Sequence, residues 1–282
     1  MVRICSDSTC DLSEEIVSKY GITIIPLHIV LGDKEYRDRV EIDQNGIFEW
    51  ADKNKTTPKT SAVSFDDAAS VIRPMIAEKD EVIIFTISSQ MSTTMNVFNM
   101  VAEDLGEGSS VHVIDSKNLS TGIGLLVVEA AEMAKEGLSA EEIVREIERL
   151  IPKVRASFVI DTLTYLARGG RCSSVAALTG GVLRIHPKII VKDGKMEVSK
   201  KYRGNIKSVV MDYVKDMHYA LLGARPQRVF ITHTSSDREL VEEVRSYLES
   251  LGYFDEILET KAGGVISSHC GPGTLGVLFI EG

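Results

Sequence analysis

The sequence of 282 residues has no apolar run near the roughly 20 residues that a bilayer-spanning helix needs, which argues against an integral helical membrane protein. Its four cysteines, Cys5, Cys10, Cys172 and Cys270, form no CxxC pair and have no HxxxH partner. That argues against a structural zinc site and fits reduced thiols in a cytoplasm. The opening Met-Val-Arg-Ile-Cys-Ser-Asp lacks the basic-then-apolar form of a signal peptide, so a cytoplasmic location is expected. Basic charge is also not concentrated. Lys and Arg number 32 against 41 Asp and Glu, a formal net charge of −9 scattered in both signs. Nucleic acids and anionic membranes reward a concentrated basic face. No nucleic-acid partner, and at most transient membrane contact, is therefore expected.

What is present is an ordinary globular mixture, 44% hydrophobic and 26% charged. Short apolar runs alternate with amphipathic stretches. Val2–Cys5, Val82–Ile87, Val111–Ile114, Phe158–Ile160, Val229–Thr232 and Val277–Ile280 read as buried strands of a parallel sheet, being brief, β-branched and apolar on both faces. Helices start at Ser139-Ala-Glu-Glu142 and Ser236-Asp-Arg-Glu239, both of which fit the capping box. Another spans about Glu14–Tyr20, with Ser13 as cap and Gly21 past its end. Two hairpins interrupt the alternation, one around Gly32-Asp33 and one around Asp193-Gly194. Such alternation means an α/β protein. The pattern restarts near Pro152 without a low-complexity linker. Two α/β domains are expected, residues 1–153 and 154–282, with a ligand cleft between them.

Several strand-end loops are crowded with small hydroxyl residues: Ser6-Asp7-Ser8-Thr9, Ser88-Ser89-Gln90-Met91-Ser92-Thr93-Thr94 and Asp115-Ser116-Lys117, with Thr60-Ser61 as a further polar segment. They either cap the next helix or share an anion site on one sheet edge. Near the end, Gly271-Pro-Gly273-Thr-Leu-Gly276 is a formal GxGxxG. A dinucleotide fingerprint follows a strand and opens a helix, with an acidic residue about 20 positions on. Here an apolar strand follows at once and the chain ends at Gly282, so the glycines read as a tight path that positions His269. Leu166-Ala-Arg168-Gly-Gly-Arg171 and Lys200-Lys201-Tyr202-Arg203-Gly204 are either solvated surface or anion contacts.

Together these segments resemble the DegV family, which includes the fatty-acid-binding subunits of bacterial fatty acid kinase. The carriers run end to end: Ser6-Asp7-Ser8-Thr9, Pro26-Leu27 with the Gly32–Asp38 hairpin, Thr60-Ser61 and Ser88-Ser89-x-x-Ser92. They continue through Val113-Ile-Asp-Ser116, Leu166-x-Arg168-Gly-Gly-Arg171 and His269-x-Gly-Pro-Gly-Thr-Leu-Gly276. The resemblance implies a non-catalytic carrier that holds a long-chain fatty acid between two α/β domains. It implies Thr60, Ser92 and His269 around the carboxyl group, a protonated His269 pairing with the anion, and Ser61 and Thr93 close by. It implies Arg171 and Arg203 as contacts for a separate ATP-dependent kinase that makes the acyl-phosphate, and no cofactor or metal. Departures from the family pattern are Thr93 in place of Gly, Met95 in place of Tyr, Arg39 where Gly is common, and His186-Pro187-Lys188 beside the second hairpin. Two other functions compete. One is a lipid hydrolase using Ser92, His269 and Asp7 or Asp115, although no GxSxG elbow is present. The other is a carrier or sensor of another amphiphile without a kinase.

Overall fold

The computed structural model describes residues 1–106, 110–176 and 185–282. In the first half lie β1 (Val2–Asp7), β2 (Thr23–Ile25), β3 (His28–Leu31), β4 (Lys34–Arg37), β5 (Lys59–Ser61), β6 (Glu81–Thr86) and β7 (Val111–Asp115). Four of them form an all-parallel sheet in the order β2-β1-β6-β7. The early hairpin forms around Gly32-Asp33, and β5 joins its first strand antiparallel to give a three-stranded sheet, β4-β3-β5.

The second half contributes β8 (Val154–Val159), β9 (Ile185–Lys192), β10 (Lys195–Arg203), β11 (Ala224–His233), β12 (Glu256–Lys261) and β13 (Leu275–Glu281). They make a six-stranded sheet in the order β10-β9-β8-β13-β11-β12. This sheet is mixed. β13 runs antiparallel to both β8 and β11, and only β11 and β12 pair in parallel. The expectation of parallel strands is thus corrected for 158–160 and 277–280, and for 229–232 it holds on the β12 side alone. Apolar runs on both faces report burial on both faces, and helices cover both faces of this sheet as well; strand direction leaves no such mark.

The molecule is a mixed α/β structure of two α/β units stacked in five layers. Helices Phe65–Ala77 and Thr94–Asp104 cover the outer face of the parallel sheet through Ile72, Phe98 and Ile84. Helix Thr121–Lys135 lies between the sheets. Leu125, Leu126 and Val128 share one core with Ile4 and Phe85 on one side and Phe158 and Leu278 on the other. Val209, Tyr213 and Val244, from helices Ile206–Asp216 and Arg238–Ser250, cover the outer face of the mixed sheet. A helix buried all round has no polar stripe, which is why ten residues of Thr121–Lys135 are buried.

Local signals behave as their chemistry demands. Ser13 caps Glu14–Tyr20 by accepting from Ile16 N, and Gly21 closes it at φ 66. Ser139 and Glu142 form a full capping box. The box expected at Ser236 is absent. Asp237 is the cap and accepts from Glu239 N, while Ser236 Oγ donates to Thr274 O. Among the described residues no helix is long and apolar enough to cross a membrane.

Candidate functional site: a polar-ended cavity between the sheets

Three segments bring the site together. β5 places Thr60 opposite Ile29 of β3. The loop after β6 folds back on its first residue, with Met91 N and Ser92 N both donating to Ser88 O. Ser92 Oγ then accepts from Thr94 N at 3.2 Å and shares a 2.9 Å hydrogen bond with the Thr94 hydroxyl. The third segment is the short helix Gly264–Cys270, which carries His269. His269 Nε2 and Thr60 Oγ1 share a hydrogen bond of 2.8 Å across 209 residues of sequence.

These side chains line one cavity of about 450 Å³, within the usual range for small-molecule sites. Thr60, Ser92, His269 and Arg171 give it a polar end, and Ser61 and Thr93 are also on its wall. Leu27, Ile87, Met91, Leu119, Met196 and Ile266 make the rest apolar. Leu119, Ile266 and Cys270 also border a smaller pocket that reaches Phe158 and Leu278 of the mixed sheet. A cavity wall that combines hydrogen-bonding groups with apolar side chains suits an amphiphile. Each buried methylene stabilises the complex by about 0.8 kcal/mol, whereas a buried carboxylate without donors costs several kcal/mol.

Two influences act on the charge at this wall of the cavity. Burial first, and then the positive charge of Arg171, push the His269 imidazole down to about 4, so it is neutral at pH 7. Arg171 supplies the cation of the site instead. Its Nη1 donates to Gly169 O at 2.7 Å, and it stands on the walls of both this cavity and the more polar vestibule beside it. A neutral imidazole whose Nε2–H donates to Thr60 Oγ1 leaves the Thr60 hydroxyl proton free to face the cavity. Arg203, by contrast, is exposed at the end of β10 and does not line the cavity.

The hydrolase constellation is not assembled. Ser92 Oγ pairs with Thr94, and His269 Nε2 pairs with Thr60. His269 Nδ1 has no hydrogen-bond partner among the described residues. Asp7 is committed to Thr9 and to Ile87 N, and Asp115 to Ser89 and Lys117 N. A relay needs a nucleophile, a base and an orienting acid within hydrogen-bond reach of one another.

A model of the DegV family, described as an uncharacterised protein family, matches residues 1–282. The chain belongs to the DegV family. A DegV domain-containing protein of Caldanaerobacter subterraneus is 33% identical over 284 residues, 99% of each chain. Among solved structures, a fatty-acid-binding DegV protein of Thermus thermophilus superposes with a TM-score of 0.91 at 31% identity, covering 99% of each chain. A stearic-acid-binding protein of Eubacterium ventriosum gives 0.86 at 31% identity, covering 100% of this chain and 98% of that one.

Against the DegV pattern, the three departures nearest the site have separate outcomes. Thr93 sits at φ −91 and ψ 6, a conformation open to any residue, so its Cβ brings no backbone strain. Met95 points into a different groove, beside Val113 and Pro152. Arg39 occupies the left-handed region at φ 64, where a glycine is free of cost, and its Nη2 donates to Leu12 O. The hydroxyl loops mostly serve the fold. Ser8 donates to Asp38, Thr9 to Asp7 and Ser116 to Thr86 O, so only Thr60-Ser61 and Ser89–Thr93 reach the cavity. The expected tight glycine path is present, with Gly271 at φ 76 and Gly273 at φ 73 turning the chain from the His269 helix into β13. Sequence reading left Arg171 open between surface and anion contact, and it missed the buried acids Asp11 and Asp38 beneath the His269 helix. The Asp11 and Asp38 carboxylates act on backbone N–H groups more than 200 residues away, and no sequence spacing encodes that.

Proposed function

We propose that this DegV protein binds a long-chain fatty acid, its carboxyl group held by Thr60, Ser92 and His269 and its tail running between the two sheets. The observation that carries the reading is one cavity of about 450 Å³ whose wall combines hydroxyl, imidazole and guanidinium groups with apolar side chains such as Leu27, Ile87, Met91 and Ile266. Fatty-acid binding by the Thermus and Eubacterium relatives supports it. The site divides between an N-terminal domain, residues 1–153, and a C-terminal domain, residues 154–282. In this reading the protein is not itself an enzyme but a cytoplasmic carrier without cofactor or metal.

It presents the carboxylate to a separate ATP-dependent kinase, for which Arg171 and Arg203 are the contact residues. A carboxylate oxygen attacks the γ-phosphorus of ATP, the bond to the β-phosphate oxygen breaks, and ADP leaves an acyl-phosphate behind. Arg171 at the mouth and Arg203 on the exposed strand end suit that division of labour, because both lie where a docked partner can reach them.

The test has two arms. Organic extraction of the purified protein followed by mass spectrometry is expected to yield a fatty acid that exchanges with added stearate. With the cognate kinase and ATP, hydroxylamine is expected to trap the product as a hydroxamate. A protein with no acyl ligand and no exchange ends the carrier reading. Lipid binding without hydroxamate ends the kinase part alone.

A further inference from the structure

The helix Gly264–Cys270 has seven residues, and helices this short have almost no stability of their own in water. The place of His269 is therefore set by whatever holds the helix ends. At the far end Gly271 O accepts from Thr234 Oγ1. At the near end the partners come from the other domain. Asp11 Oδ1 accepts from Gly263 N and Asp38 Oδ1 accepts from Gly264 N, each at 2.7 Å.

Both carboxylates are fixed on their second oxygen as well. Ser120 Oγ donates to Asp11 Oδ2 at 2.6 Å, and Ser8 Oγ donates to Asp38 Oδ2 at 2.7 Å. Asp11 is 0% exposed and Asp38 1%, so no solvent competes for these bonds. Two glycines make the approach possible. A Cβ on Gly264 would stand 2.9 Å from Asp38 Oδ1 and would overlap Ile29 and Ile47, and one on Gly263 would stand 3.2 Å from Asp11 Oδ1. Arg39 packs its stem against Gly263 and keeps a cation beside the two acids. Carboxylates at the positive end of a helix are also favoured electrostatically.

We infer that Asp11 and Asp38 are positioning residues for the head-group site: together they set the helix whose His269 meets Thr60. Neither touches the cavity, since neither is among its lining residues. They act through His269. The inference rests on the proposed head-group role of His269.

A double-mutant cycle with stearate as ligand tests it, by calorimetric titration of the delipidated full chain. Asp38→Leu keeps the bulk and removes the acceptor; it is expected to weaken stearate binding about tenfold, the size of one lost buried partner. Asp38→Asn keeps an oxygen for Gly264 N–H and is expected to stay within about twofold. In a His269→Ala background Asp38→Leu is expected to cost nothing further. Ser8→Ala, which frees Asp38 Oδ2 and also takes the acceptor from Leu27 N, serves as the milder variant if Asp38→Leu does not fold, and the same dependence on His269 is expected of it. Equal losses in both backgrounds, or undiminished binding by the Asp38→Leu or Ser8→Ala chain, overturn the inference and leave the head-group reading intact. If His269→Ala itself binds stearate as tightly as the natural chain, both fall together.

Discussion

The imidazole of His269 is seated against the backbone of Gly169, so close that a Cβ on that glycine would overlap Nδ1. Gly169 ends the helix Thr164–Gly169, and its carbonyl accepts from Arg171. One glycine therefore holds both the neutral and the charged member of the polar end in place. Gly169→Ala is expected to lower affinity strongly and stability modestly. Alanine favours a helix over glycine by up to about 1 kcal/mol, but displacing the buried His269 costs about 1–3 kcal/mol, so the melting temperature should fall modestly. Stearate affinity should fall by about tenfold or more, because His269 must leave Thr60. Titration and thermal melts on one variant check both.

Removing each proposed head-group donor should cost one buried hydrogen bond. Thr60→Ala, Ser92→Ala and His269→Ala are each expected to weaken lipid retention by about 1–3 kcal/mol. Arg203→Ala should retain lipid as the natural chain does and lose phosphorylation by the kinase. An Arg203→Ala chain that sheds its lipid would contradict the assignment.

Arg171 leaves a measurable trace on its neighbour. Its charge is the second cause, after burial, of the low His269 value of about 4. Arg171→Gln should therefore raise the His269 titration midpoint toward the ordinary histidine range without reaching it, since burial persists. Imidazole resonances followed by NMR across pH 3–8 read this directly, and an unmoved midpoint counts against the contact.

The acids under the His269 helix should make stability depend on pH. Burial pushes Asp11 up to about 7, against an ordinary value of 3.8. Between those values the folded chain keeps a proton that the unfolded chain has lost, so this group's contribution to stability falls as pH rises from about 4 to 7 and then levels. Asp7, pushed up to about 6 by burial, acts in the same sense, and His269 in the opposite one. The difference between the natural chain and Asp11→Asn isolates the group. The advantage of the asparagine in melting temperature should grow through that window and stay constant above it.

Much of the architecture was legible because it rests on local chemistry. Ser13, Gly21 and the Ser139–Glu142 box mark their helices, and Asp193-Gly194 marks its hairpin with φ values of 50 and 79. Strand direction in the second sheet was not legible, since Phe158, Phe230 and Leu278 are buried whichever way their strands run. Thr60, Ser92 and His269 were named through the family resemblance, and the structure sets all three on the wall of one cavity. The downward push on His269 was not legible, because burial and the nearness of Arg171 exist only in three dimensions. The roles of Asp11 and Asp38 were hidden for a similar reason: Ser8 and Ser120 look like ordinary caps until their acceptors are seen.

Helix Thr121–Lys135 is held between the two sheets, with ten of its residues buried. A cut at the boundary between the halves would expose the face it packs against Phe158 and Leu278, so each separated half is expected to be less stable than the whole chain. It also forbids a hinge: the halves cannot swing apart to admit a hydrocarbon chain without tearing their common interior. Entry must come from small movements at the rim, and the rate of lipid uptake should track the loosening of that rim rather than global unfolding.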